Sequence, residues 1–197
     1  MATSVSLPAF VSPIQFLNSD QANWYSAQHQ YDAPPNSSNV LNNYNPYDNH
    51  KGFLYHWSNE DKALLKDMTL TLANNTVTDG GGSYTWTGKV FLPTYTQMGF
   101  GNNNNIAEGT QFSKFTDNTS RIKSINKYCA ENNKYCIDIS NTEGTNWIYL
   151  MSSVYPSSSR FVHYVSGGGS AGRYLAYDGG CGLAPCICLP RSNGGGN

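Results

Sequence analysis

A chain of 197 residues with 39% hydrophobic and 13% aromatic content has enough apolar area for one substantial core, which excludes a disordered chain and makes one domain the default. Charged residues are only 13% of the chain and the formal net charge is -1, so no field draws it to nucleic acid or to an anionic membrane, and neither is expected as a partner. No run approaches the roughly 20 apolar residues of a membrane span, and Met1 to Pro8 lacks a basic n-region and an apolar h-region, so no signal peptide is expected and synthesis is placed in the cytoplasm.

Residues 1–20 read as an N-terminal arm, extended around Pro8 and Pro13, with a short helix near Ile14 to Asn18. Its apolar positions, among them Leu7, Phe10, Ile14, Phe16 and Leu17, should dock on the chain's own domain or on a neighbouring subunit. Residues 21–191 are expected to form the domain proper, and 192–197 a frayed tail. The clearest helix signal is Ser58-Asn59-Glu60-Asp61, a capping hydroxyl with a carboxylate three residues on, followed by Leu64, Leu65 and Met68 as a core stripe at helical spacing. Thr78 to Gly82 predicts a turn, Lys89 to Pro93 a short buried strand, and Thr94-Tyr95-Thr96-Gln97 a second cap that starts one helical turn before Gly99. The amide-rich runs, such as Asn102 to Asn105, predict turns first and adaptable hydrogen-bonding groups second. From Asn146 onward short strands alternate with Ser/Gly turns: Trp147 to Ser152, Arg160 to Val165, Arg173 to Tyr177 and Leu183 to Leu189. Helices followed by a small antiparallel sheet at the C-terminal end indicate an α+β class.

Catalytic and metal-binding patterns are sparse. Cys129, Cys136, Cys181, Cys186 and Cys188 are an odd number, so at least one thiol is unpaired, and their spacings lack the C-x2-C hooks of structural zinc. They read as small buried hydrophobes. His29, His50, His56 and His163 show no H-x-x-x-H spacing, and the chain contains neither a G-x-S-x-G elbow nor a P-loop. Asp79 and Asp178, each followed by glycines, read as turn residues before calcium ligands. No metal, no cofactor and no enzymatic activity are therefore expected. The candidate binding surface is the ring- and hydroxyl-rich stretch comprising Tyr155, Ser158, Arg160, His163 and Tyr164 together with Arg173, Tyr174, Tyr177 and Asp178. Strand geometry turns alternate side chains inward, so about half of this set is expected in the core.

Several segments in order carry a family resemblance: Phe16-Leu17-Asn18-Ser19-Asp20, Asn23-Trp24-Tyr25, His29 with Tyr31-Asp32-Ala33-Pro34-Pro35, Asn43 to Asp48, and Gly52-Phe53-Leu54. Thr78 to Ser83, Lys89 to Leu92, Gly99, Asn104 to Gly109, Trp147 to Leu150, Val162 to Val165 and Gly182 to Pro185 continue it. In these the chain resembles a family of uncharacterised phage and prophage domains from gut bacteria, whose fold is similar to C-type lectins and formylglycine-generating enzymes. Two departures stand out. Fewer residues precede the Leu-Asn-Ser segment than is usual, which suggests first strands that are replaced or are supplied by another subunit, and Met151 stands where the family tends to carry Arg. The resemblance implies a virion-associated decoration or attachment protein, oligomeric within an assembly, held to other virion proteins by the arm and displaying its C-terminal strands to host or mucosal glycans or proteins. A structural capsid or tail stabiliser without an external ligand is the alternative, and a cysteine-dependent oxidase a more distant one.

Overall fold

The computed structural model describes residues 11–27, 33–43, 45–127, 131 and 143–190. His29, Tyr31, Asp32, Tyr44, Cys129, Cys136, the first ten residues and the tail lie outside the described residues.

The first element is helix α1 (Val11–Asn18), with Pro13 in its first turn, where a missing N–H costs nothing. Ile14, Phe16 and Leu17 place it in the core with Leu54, Leu65, Val90, Leu92, Leu150 and Val162. Asn18 locks it there: its Nδ2 donates to Val90 O at 2.6 Å, and its Oδ1 accepts from Lys89 N at 2.8 Å and Val90 N at 3.0 Å. The carbonyls freed at the helix end are taken by the chain at 52–54, where Phe53 N donates to Phe16 O and Leu54 N to Ser19 O. Gly52 permits that approach, since a Cβ there would lie 2.3 Å from Ser19 O. Residues 11–20 thus pack on the chain's own domain.

Helix α2 (Asn59–Leu64) starts where Ser58 accepts from Asp61 N at 3.0 Å. The expected Leu64, Leu65, Met68 stripe is not helical. Leu65 is already extended and buried, Leu64 is 53% exposed, and Met68 opens strand β1 (Met68–Ala73). A capped helix of six residues has too few turns to carry a core face, and the alternation Met-Thr-Leu-Thr-Leu takes over. Strand β1 pairs antiparallel with β2 (Ser83–Gly88), so that Leu70 and Leu72 lie opposite Trp86 and Tyr84, while Thr69 and Thr87 share a hydroxyl hydrogen bond at 2.9 Å. This hairpin is absent from the sequence reading. The turn expected at Thr78 to Gly82 forms its loop, with Gly80, Gly81 and Gly82 all at positive φ.

Strand β3 (Val90–Phe91) falls inside the expected buried strand and pairs with β9 (Cys186–Ile187). At Thr94 the expected cap forms: Gln97 N donates to Thr94 Oγ1, Thr94 N to Gln97 Oε1, and Met98 N closes one turn on Thr94 O. Helix α3 (Asn118–Arg121), capped by Asp117 through Ser120, precedes β4 (Lys123–Ser124), which pairs with β5 (Asn146–Trp147).

The C-terminal antiparallel sheet has the order β6 (Tyr149–Val154), β7 (Phe161–Val165), β8 (Ala171–Leu175). The expected strand at Leu183 to Leu189 shrinks to β9 and joins β3, not this sheet. Nor do helices simply precede strands, since β1 to β3 come before α3. Both faces of the three-stranded sheet are covered at the centre. One carries Leu150 and Val162 into the α1 core, and the other packs Tyr149, Met151 and Val165 on Met98 and Phe115. Met151, fully buried in that second core, has the apolar environment that an Arg would have to leave. The architecture is mixed α+β, with short helices and small antiparallel sheets. Among the described residues no helix is long and apolar enough to cross a membrane.

Candidate binding surface

The register of β7 and β8 sorts the sequence-predicted residues between two faces. His163 lies opposite Arg173, and Phe161 opposite Leu175, on one face. Val162 opposite Tyr174, and Tyr164 opposite Gly172, lie on the other. Tyr164 and Tyr174 meet edge to face at 5.7 Å, with Tyr164 folded over Gly172 so closely that a Cβ there would sit 2.5 Å from the ring. Burial and the neighbouring Asp178 carboxylate push the Tyr174 hydroxyl well up from its ordinary value of 10.0. Asp178 is itself a turn acceptor, taking Gly180 N at 2.9 Å. Arg160 donates to the Tyr177 hydroxyl at 3.1 Å, and Ser158 accepts from Arg160 N while its carbonyl takes Asn75 Nδ2. The nine residues therefore form no single surface: Tyr155, His163 and Arg173 come together, and Tyr164, Tyr174 and Asp178 lie across the sheet from them.

Around the first group runs a row of rings. Phe100 lies 5.2 Å from Tyr95, Tyr95 4.5 Å from His163, His163 5.2 Å from Tyr155, and Tyr155 6.4 Å from Phe161. Phe100, Tyr95, Tyr155 and Phe161 are half-buried, each giving part of its surface to the core and part to solvent. A guanidinium closes either end. Arg121 is buried, lies 4.3 Å over Phe100, and donates to Met98 O, Gly99 O and Asn118 Oδ1. Arg173 is exposed and lies 5.4 Å from the Tyr155 centroid and 5.0 Å from that of Phe161.

A buried polar network holds this row in place. Glu108, 0% exposed, accepts from Ala73 N at 2.9 Å, from Asn103 Nδ2 at 3.1 Å and from the Ser153 hydroxyl. Ser153 in turn accepts from Tyr95 N at 2.7 Å. Asn103 spends both amide hydrogens, on Glu108 and on Val154 O at 3.0 Å. Its Oδ1 is left facing His163 Nε2 at 3.3 Å, which makes Nε2 the protonated nitrogen of the neutral ring. Nδ1 is buried without a hydrogen-bond partner. Asn103 owes its position to the two-residue turn Asn104-Asn105, at φ 49° and 65°, whose ends Asn103 and Ile106 exchange both backbone bonds. Asn102 to Asn105 is thus a turn, as its composition predicts, but one of its amides is structural. Tyr95, Phe100, Phe161, Asn103 and Glu108 escape the sequence reading. The one available signal is Glu108, a carboxylate in a chain with few charges.

Burial pushes Glu108 up from 4.5 against the pull of its donors Ser153, Ala73 and Asn103, and burial pushes His163 down from 6.5 against the opposing effect of the Gly172 backbone. These shifts have opposite consequences. The Glu108 contribution to stability is fully present below pH 4.5 and is lost as pH rises through its raised folded value; the His163 contribution is present above pH 6.5 and is lost as pH falls through its lowered one. Urea titrations across this range are expected to show both slopes, the first vanishing in Glu108→Gln and the second in His163→Gln. A variant that retained its slope would reassign it.

Ser153 is fully buried and donates to the Glu108 carboxylate, and Cys181 is pushed far above the ordinary thiol range by burial and Asp178. Among the described residues no cluster of three or more His, Cys, Asp or Glu could hold a metal ion. Fold and surface together define a mixed α+β domain with a ring-lined face on its C-terminal sheet. Residues 11–191 match a family described as a domain of unknown function, DUF6273, and the chain belongs to that family. No curated protein and no solved structure matches it.

Proposed function

We propose that the chain is a binding domain that presents Phe100, Tyr95, Tyr155 and Phe161, with Arg173, around the buried His163 to an external glycan or protein. The observation that carries this reading is the row itself. Four half-buried rings and an exposed guanidinium are aligned on a sheet and braced from behind by Glu108 and Asn103, an arrangement that costs little further order on binding. Exposed Ser157 and Ser159 in the β6–β7 turn, and exposed Asn102, Asn104 and Asn105 beside Asn103, add hydroxyls and amides. The sequence resemblance to phage and prophage domains supports the finer part of the proposal, a C-type lectin-like domain on a virion that decorates the particle or attaches it to host or mucosal surfaces.

Binding to mucin-coated plates and printed glycan arrays tests the surface. Tyr155→Ala is expected to weaken capture at least tenfold, the loss of about 1.4 kcal/mol that one stacking ring readily supplies. Tyr174→Ala, on the opposite face, should leave capture unchanged. Equal losses in both variants, or no capture by the parent chain, would discard this surface. Mass spectrometry of purified particles tests the virion assignment, which its absence from them would remove.

A further inference from the structure

The two guanidiniums of the row are not equivalent. Arg121 spends its donors on Met98 O, Gly99 O and Asn118 Oδ1. Arg173 is exposed, and neither ion pair of the described residues, Lys62 with Asp20 and Lys127 with Glu131, involves it. Cation–π contact with Tyr155 and Phe161 restricts the side chain without consuming its N–H groups as hydrogen-bond donors. Glu108, the carboxylate behind the row, is buried on three donors of its own. A fork of donors therefore faces solvent beside aromatic rings, and the exposed Ser157 and Ser159 of the β6–β7 turn with Asn104 and Asn105 offer a rim of neutral hydroxyls and amides.

We propose that Arg173 is the anion-reading residue of this surface, and that the ligand is a saccharide carrying a carboxylate, of the uronic or sialic acid type. The inference rests on the reading of the ring row as a binding surface. A planar carboxylate matches the guanidinium fork through two parallel hydrogen bonds. The C–H face of a sugar ring suits a half-buried tyrosine, and its hydroxyls suit the Ser157, Ser159, Asn104 and Asn105 rim. An acidic peptide would satisfy the fork but would leave that rim of small neutral donors and acceptors without matching hydroxyls.

The test is a printed array carrying acidic glycans, their methyl-esterified forms and neutral glycans, with polyglutamate spotted beside them, probed with the parent chain, Arg173→Ala and Arg173→Lys. The expected result is capture of acidic glycans, weakened at least tenfold by esterification and by Arg173→Ala, with an intermediate loss in Arg173→Lys, which keeps the charge without the fork. Equal thermal midpoints for the three proteins would assign the loss to recognition. Capture of neutral and esterified glycans with Arg173→Ala unaffected would overturn the acidic-ligand inference and leave the binding surface standing. Polyglutamate captured as well as the acidic glycans would overturn the saccharide assignment. No capture of any probe by the parent chain would overturn both.

Discussion

Glu108→Ala is expected to lower the unfolding free energy by about 4 kcal/mol, because each buried donor deprived of its acceptor costs roughly 1–3 kcal/mol and three lose theirs at once. Those donors are Ala73 N, Asn103 Nδ2 and the Ser153 hydroxyl, from the end of β1, the Asn104-Asn105 turn and β6. Three segments distant in sequence therefore meet on one side chain. Losses within such a shared network are not additive, which keeps the total below the sum of three separate deletions. Glu108→Gln retains an oxygen for the two N–H donors and should cost clearly less. Urea denaturation of the three proteins at one pH checks the order. If alanine and glutamine were equally damaging, shape rather than acceptor capacity would explain the site.

Gly169→Ala is expected to be at least as damaging. Gly169 lies in the turn between β7 and β8 at φ +81°, where a side chain costs roughly 1–2 kcal/mol by itself. A Cβ there would also stand 1.8 Å from Asn118 O and 2.6 Å from Asn118 C, atoms of the α3 backbone that no rotamer change can withdraw. Either the turn or α3 must move, and with it Arg121, which Asn118 holds over Phe100. A fall in the thermal midpoint of more than ~10 °C, or failure to fold, is the expected result. Gly168→Ala is the control, because the nearest atom to its Cβ would be Ser166 Oγ at 3.8 Å, and it should shift the midpoint by only a few degrees. Two similar midpoints would show that the turn yields.

Local chemistry was legible in the sequence wherever a few neighbouring residues decide the outcome. The hydroxyl caps at Ser58 and Thr94 and the Gly80 to Gly82 turn are of this kind. The β1–β2 hairpin escaped because Leu64, Leu65 and Met68 satisfy a helical spacing as well as the end of one helix and the start of a strand. For the surface, Tyr155, His163 and Arg173 were legible because polar and aromatic groups crowd one stretch, but period-2 geometry in an almost wholly apolar strand could not say that Tyr164 lies on the opposite face from them. Tyr95 could not be read into the site at all. It arrives there because Ser152 N bonds Pro93 O and Tyr95 N bonds Ser153, long-range pairings that leave no trace in the residues around it.

Asn75 has a consequence of another kind. Its Oδ1 gathers Val77 N and Thr78 N while its Nδ2 reaches across to Tyr155 O and Ser158 O, so one amide seals the base of the β1–β2 loop and fixes the segment bearing Tyr155. Beyond that seal, a Cβ at Gly80 or Gly82 would meet no atom within 4 Å. The tip is consequently the natural place to splice in a foreign peptide or a fluorophore attachment point: cargo added there is mechanically isolated from the ring row, whereas grafts at residues 75–77 would be transmitted straight to it.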